Sequence, residues 1–203
     1  MSKPRKSAPL GMTEANFCAI VDPRSPNPKT ETRRLSNGSD KPKYNIGDRC
    51  YLTEPTQIES DIANSFEAHV SYFWHKPEII WQPITEEDSA KILNRKSGVT
   101  SKQIARFMLK SFARYWVEII DVKLERLLDI TAEAAIAEGI PYVTPYSKKD
   151  VRVYKNYVTG EWTRHNPIDS YISEIEMLHG KEIANSNPWL WVYKFKFIGI
   201  NNG

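Results

Sequence analysis

The sequence has few of the residues that mark disulfide-linked or cofactor-loaded proteins. Its 203 residues include only two cysteines and nine glycines. Cys18 and Cys50 lie in apolar surroundings, and neither joins one of the four histidines at a metal-ligand spacing, so we expect free thiols in a reducing compartment and no zinc site. There is no glycine-rich phosphate loop and no internal repeat. The sequence therefore predicts no metal and no cofactor.

Long apolar runs are also missing, because no stretch approaches the roughly 20 residues that a membrane-spanning helix needs. The net charge of +3 is mild and permits a nucleic-acid or nucleotide partner without requiring one. Much of the positive charge lies in residues 1–49, which hold ten Lys or Arg against five Asp or Glu. We expect a cytoplasmic protein without a membrane partner, and the oligomeric state stays open.

The length and the apolar content favour one folded domain. We expect a disordered basic tail over residues 1–11 and a single domain over 12–200 with a variable insert at about 55–105. The patterns predict helices over 14–21, 86–93, 132–138 and 167–179, and strands over 49–54, 66–74, 79–81, 115–124, 151–158, 161–163 and 189–200. Strands outnumber helices and do not alternate with them, so we predict an α+β fold built as a small mixed β-barrel with peripheral helices and insertions.

The hexapeptide Lys29-Thr30-Glu31-Thr32-Arg33-Arg34 consists of charged and hydroxyl-bearing residues. It has no large apolar side chain, so we expect a polar loop or the lip of a pocket and a solvent-facing Glu31. Pro28 fixes its own φ and disfavours helix at the preceding residue, so the segment follows an extended or turn conformation. In a tight turn, a spacing of three puts Lys29 and Thr32 on one side. The simpler interpretation is a solvated basic loop.

Several short motifs follow this hexapeptide in the chain. Lys29-x-x-Thr32-x-Arg34 is followed by Gly47-Asp48 opening a strand, then by Asp129-Ile130-Thr131 and the helix with Ala137-Glu138-Gly139-Ile140, and then by the aromatic strand at the end. The order of these motifs resembles the ASCH-domain family, which has a PUA-like β-barrel fold. Segments 106–108, 121–127 and 187–193 resemble a longer branch that is common in phage genomes. The resemblance covers about residues 12–199 and is poorest at 55–105 and 146–164.

ASCH members include small amidohydrolases that remove the acyl group from N(4)-acetylcytidine with a lysine, a threonine and a glutamate. The resemblance implies these roles for Lys29, Thr32 and Glu138. Thr32 would attack the acyl carbonyl, Lys29 would accept its proton if the amine is neutral in the resting enzyme, and Glu138 would protonate the departing amine and later activate water. The simpler interpretations are a threonine bonded to the loop backbone and a solvated glutamate in the last helical turn.

Five further residues are candidates for substrate binding. Arg34 would hold the oxyanion or the substrate, and Arg33 is an additional charge beside it. Trp74 and Tyr142 would stack on a base, although aromatic core packing is the more common role of such residues. Glu54, at a strand end before a proline, is either a pocket carboxylate or an edge charge.

The competing interpretation is a module that binds without catalysis. PUA-like barrels bind RNA or modified bases, and a pocket with two arginines and an aromatic ring could grip a base without acting on it. A nuclease or a phage-encoded inhibitor of a host defence is a further alternative that no motif specifically supports. The expected partner is therefore a small nucleoside, with RNA as the alternative.

Overall fold

The computed structural model describes residues 7–25, 27–36, 38–58, 67–75, 77–95, 98–147 and 149–200. Within them lie eleven strands, five α-helices and three short 3-10 helices. The strands are β1 (Ser7–Leu10), β2 (Glu31–Leu35), β3 (Arg49–Leu52), β4 (Thr56–Ile58), β5 (Glu67–Tyr72), β6 (Glu78–Pro83), β7 (Tyr115–Arg126), β8 (Tyr142–Val143), β9 (Val153–Lys155), β10 (Trp162–Arg164) and β11 (Trp189–Ile200). The helices are α1 (Glu14–Val21), α2 (Glu86–Leu93), α3 (Ala132–Ala137), α4 (Pro167–His179) and α5 (Lys181–Asn185), and the 3-10 helices are Ala105–Phe107, Lys110–Phe112 and Leu127–Asp129.

The chain divides into two compact units. The first comprises the described parts of Met1–Val21, Asp48–Glu118 and Phe197–Gly203, and the second those of Asp22–Gly47 and Ile119–Lys196. The predicted insert at 55–105 falls in the first unit. The prediction of one domain over residues 12–200 stays a prediction.

In the first unit, β1 runs parallel to β3 with Leu10 opposite Leu52, and β3 pairs antiparallel with the start of β7. A separate antiparallel sheet has the order β4-β5-β6. Its inner face packs on α2 and the neighbouring loops through a core that includes Ile58, Val70 and Phe112, all without solvent exposure. Burial of these side chains accounts for the sheet's stability, because each contributes about 1.5–3 kcal/mol when removed from water.

In the second unit, β2 pairs antiparallel with β11, and Thr32 lies opposite Tyr193. A small antiparallel sheet has the order β10-β9-β8. The core of this unit joins Leu127 after β7, Ile140 after α3 and Leu190 of β11 to the apolar face of α4. Leu35 at the end of β2 packs against this core and Ala135 of α3 belongs to it, so the core supports both elements that adjoin the candidate site.

All four predicted helices are confirmed, and two of them show which local signals place them. Helix α4 has the predicted bounds, because the Asn166 side chain accepts the N–H of Ile168 at 2.9 Å and Pro167 fits the first turn. Helix α3 begins after Thr131, whose hydroxyl accepts the N–H of Ala134 at 3.2 Å. It ends before Gly139, which has a φ of 85°.

The predicted disordered tail over residues 1–11 is wrong in its second half. Ser7–Leu10 forms β1, and Leu10 is fully buried. The segment orders because its backbone pairs with β3 and Leu10 enters the core, which a count of its basic residues does not reveal. Residues 1–6 of the predicted tail lie outside the described residues.

The α+β class is confirmed, whereas the predicted closed barrel is not observed. The described strands form three sheets, and none of these closes on itself. The described residues also contain no helix that is long and apolar enough to cross a membrane.

Candidate functional site

The structure brings Lys29 and Glu138 together although they lie 109 positions apart in the chain. The Lys29 ammonium donates to Glu138 Oε2 at 2.6 Å and to the Glu138 backbone carbonyl at 2.6 Å. The side chains are 2% and 4% exposed. The adjoining backbones are also joined, because the N–H of Thr30 donates to the carbonyl of Ala137 at 2.8 Å. Glu138 does not face solvent, so the simpler interpretation of a solvated helix-end residue is wrong.

Arg33 holds the other oxygen of the same carboxylate. Its guanidinium lies 3.0 Å from Glu138 Oε1, 3.1 Å from Glu31 and 3.2 Å from Glu125, and the side chain is 1% exposed. Burial disfavours the charged guanidinium, but Glu138 and the other neighbours outweigh it and raise the pKa of Arg33. Each Glu138 oxygen is therefore held by one cation, which fixes the orientation of the carboxylate. We refer to Lys29, Glu31, Arg33, Glu125 and Glu138 as the Glu138 cluster.

Two lysines close this cluster towards solvent. Lys194 lies 3.2 Å from Glu31, and Lys123 lies 2.6 Å from Glu125. Burial opposes ionisation of Glu125, but Lys123 and Arg33 prevail and lower the pKa of its carboxyl. The charges alternate in sign from the surface to the interior, and this alternation allows four charged side chains to be buried.

A tyrosine of α4 faces the buried end of the cluster. Tyr171 is 2% exposed, and its burial, together with the negative charge of Glu138, raises the pKa of its phenol well above the ordinary value. The phenol therefore stays neutral at physiological pH.

The expectation of a polar loop at residues 29–34 is wrong. Glu31–Leu35 is strand β2, and Lys29, Glu31, Thr32 and Arg33 are all buried. Glu31, expected in solvent, is 6% exposed. The local sequence misleads because the partners of these charges lie about a hundred residues away in the chain.

Thr32 lies on the opposite face of β2 from the cluster. Alternate side chains of a strand point to opposite faces, so Glu31 and Arg33 share one face and Thr32 takes the other. Thr32 is paired with Tyr193, whose ring meets Tyr44 edge-on at 5.1 Å. In a tight turn, a spacing of three would put Lys29 and Thr32 on one side. In the observed strand, the same spacing puts Thr32 on the face away from the Glu138 carboxylate.

Two other candidates, Arg34 and Tyr142, lie in the second unit. Arg34 is exposed and is paired across the sheet with Trp191. Tyr142 is half-buried in β8, with the guanidinium of Arg152 at 4.6 Å from its ring centre and Tyr154 at 6.1 Å. Its ring therefore packs against protein groups.

Glu54 and Trp74, the remaining candidates, belong to the first unit. Arg114 binds Glu54 in a bidentate manner, with distances of 2.9 and 2.7 Å, and also contacts Glu78 at 2.6 Å. The backbone N–H of Trp74 donates to Glu54, and its ring meets Phe17 edge-on at 5.3 Å. We refer to Glu54, Glu78 and Arg114 as the Arg114 cluster.

Two aromatic rings also contact the Arg114 guanidinium. The guanidinium carbon lies 4.1 Å from the ring centre of Tyr72 and 5.0 Å from that of Tyr115. Burial raises the pKa of Glu54 in spite of the neighbouring guanidinium. Arg114 was not among the sequence candidates, and its isolated position before β7 gave no signal.

The described residues contain no group of three or more His, Cys, Asp or Glu that could hold a metal ion. No protein-family model matches the chain, and searches of curated proteins and of solved structures find no match. The relation to the ASCH family therefore stays a prediction.

Proposed function

We propose that this protein is an amidohydrolase that removes the acyl group from the exocyclic amine of N(4)-acylcytidines. The observation that carries the proposal is the 2.6 Å contact between the Lys29 amine and the Glu138 carboxylate in a buried position. The ASCH resemblance pairs these two residues, and a solvent-facing Glu138 would have removed the proposal. The proposal includes a PUA-like fold and membership of the ASCH family.

The pair supports proton transfer in both directions. Hydrolysis needs an uncharged amine that accepts the nucleophile's proton and a carboxylic acid that protonates the departing nitrogen. One proton moving from Lys29 Nζ to Glu138 Oε2 produces both forms at once. In water this transfer between a lysine and a glutamate costs about 8 kcal/mol, which the protein would have to offset.

The route that the resemblance implies has two steps. The Thr32 hydroxyl would attack the acyl carbonyl and give its proton to Lys29, and Glu138 would protonate N4 as the carbon–nitrogen bond breaks, which leaves cytidine and an ester on Thr32. Water would then attack the ester and give a proton to Glu138, while Lys29 returns its proton to the departing Thr32 oxygen and the carboxylic acid is released. One water molecule is consumed. Arg34 would bind the substrate at the exposed side of β2.

For Thr32 the proposed role rests on the resemblance alone, because its side chain lies on the other face of β2 from Arg33. A water molecule activated by Lys29 and Glu138 would carry out the same hydrolysis without an acyl-enzyme. Replacing Thr32 with alanine separates these routes. The threonine route predicts a loss of at least about 100-fold in kcat, and a near-normal rate assigns the attack to water.

The experiment that tests the function is incubation of the protein with N(4)-acetylcytidine and longer N(4)-acylcytidines, followed by chromatography. We expect free cytidine and the matching carboxylic acid in equal amounts. Substrate recovered unchanged with every acyl group would overturn the proposal.

The second candidate is a non-catalytic module that binds RNA or a modified base. Two observations favour it over catalysis. The charges of the Glu138 cluster are paired with one another, which also fits a purely structural ion network. Thr32 lies on the other face of β2, away from this cluster. Equal affinity for acylated and plain cytidine without product would support this candidate. A phage origin and a cytoplasmic location stay predictions.

A further inference from the structure

The outer face of the β2–β11 pair combines two tryptophans with several cations. Trp189 and Trp191 alternate with the buried Leu190 along β11, so they share the face that carries Arg34 of β2. Trp189 is 44% exposed. The guanidinium of Arg126 lies 4.3 Å from its ring centre and is fixed by a 2.9 Å hydrogen bond to the Asn187 carbonyl.

The loop after β2 crosses the same face and adds further positive charge. The Trp191 indole N–H donates to the Ser39 carbonyl at 3.2 Å, and the Lys43 backbone N–H donates to the Tyr193 hydroxyl at 2.9 Å. Lys41 and Lys43 are exposed, Lys41 follows two residues after the Ser39 carbonyl that meets Trp191, and the Lys43 ammonium lies 5.2 Å from the ring centre of Tyr44. In residues 39–43 of this loop, Lys41 and Lys43 outnumber the one acidic residue, Asp40, so this stretch is basic.

Solvent exposure of the aromatic side chains increases along this face from Tyr193 to Trp189. At the Thr32 end, Tyr193 is buried under Tyr44. At the other end, Trp189 leaves nearly half of its surface to solvent and Arg34 is exposed. An exposed indole held rigidly by an arginine, with several further cations around it, suits a planar base followed by phosphates.

We propose that this face, formed by Arg34, Lys41, Lys43, Arg126, Trp189 and Trp191, binds single-stranded nucleic acid. The bases stack on the tryptophans, and the four cations contact the phosphates. The charge complementarity selects a polyanion, and the exposed indole selects a polyanion with unstacked bases over a duplex. None of these residues belongs to the Glu138 cluster, and Arg34 is the residue that the face shares with the proposed hydrolysis, in which it would bind the substrate.

The test is fluorescence anisotropy with a labelled single-stranded oligonucleotide of about 12 nucleotides, which spans a site of the usual size. Trp189→Ala is expected to raise Kd by about 5- to 100-fold, and Trp189→Phe is expected to retain most of the affinity because it keeps a stacking ring. The matched control is Trp162→Ala, since Trp162 is 41% exposed in the same unit but lies on β10. Its Kd is expected to stay unchanged.

The salt dependence tests the cations separately. Replacing Lys41 and Lys43 with glutamine should reduce the slope of log Kd against log salt by about 0.7 for each phosphate that the protein no longer neutralises. Tight binding of a duplex or of polyglutamate with equal affinity, an unchanged Kd in Trp189→Ala, or an equal weakening in Trp162→Ala would each overturn the proposal. Circular dichroism of each variant confirms that these values come from folded protein.

Discussion

The two buried ion clusters use the same charges in different ways. In the Arg114 cluster, one arginine binds Glu54 through two hydrogen bonds and contacts two tyrosine rings. An arginine does not release its proton in a protein, so this cluster cannot transfer one. In the Glu138 cluster, the closest contact to the carboxylate comes from Lys29, whose amine can gain and lose a proton.

This difference separates a structural role from the chemical role that we propose. A fully bonded arginine fixes the loops around it and does not transfer protons. A carboxylate shared between an arginine and a lysine is oriented by the first, and in the proposed reaction it exchanges protons with the second. Burial and pairing alone do not distinguish the clusters, but the identity of the cation does.

The largest expected effect comes from Lys29→Ala. Loss of the amine should lower kcat for N(4)-acetylcytidine by about 100- to 10,000-fold, the usual contribution of a positioned acid or base. The control is Lys91→Ala, because Lys91 forms a solvent-exposed pair with Glu87 at 2.7 Å. Rates in Lys29→Ala within a few-fold of the natural protein would remove the lysine from the mechanism.

A substitution in the Arg114 cluster should change the free energy of unfolding. Arg114→Met leaves Glu54 buried without its partner and should lower the free energy of unfolding by about 3–5 kcal/mol, measured by urea denaturation. Arg24→Met is the matched control, since Arg24 pairs with Asp22 at the surface and its side chain is 83% exposed. An Arg114→Met protein as stable as this control would contradict the structural role.

Arg33 should produce an intermediate effect that sharpens the comparison. Arg33→Gln frees Glu138 Oε1, and we expect kcat to fall by about tenfold, as for the removal of one charge-assisted hydrogen bond. A kcat equal to that of the natural protein would mean that Arg33 does not position this carboxylate.

The smallest effect concerns Glu125. Its folded pKa is lowered by Lys123 and Arg33 against the effect of burial, so it adds stability above the pH at which the unfolded carboxyl titrates, about 4.3. That stability is lost as the pH falls through the lower folded pKa. Glu125→Gln should therefore lose less stability than the natural protein between about pH 7 and pH 3.5 in urea denaturation. An equal loss would contradict the assignment.

The sequence predicted elements whose signals are local. Helix α4 was placed residue for residue, because its cap, its proline and its apolar spacing all lie within the segment. The hexapeptide at 29–34 was misplaced as a loop, since charged side chains in a strand are buried only when distant partners neutralise them. The meeting of Lys29 with Glu138 was expected from the ASCH resemblance, whereas Glu125 and Arg114 had no motif that could identify them.

The most direct measurement is the rate of cytidine release from N(4)-acetylcytidine by the natural protein, Glu138→Gln and Glu133→Gln. Glu133 is the matched control, because it lies in the first turn of the same helix and is exposed to solvent. We expect the natural protein and Glu133→Gln to release cytidine at equal rates and Glu138→Gln to be slower by at least about 100-fold. Release by Glu138→Gln at the natural rate, or no release by the natural protein, would contradict the central claim that the buried Lys29–Glu138 pair performs the hydrolysis.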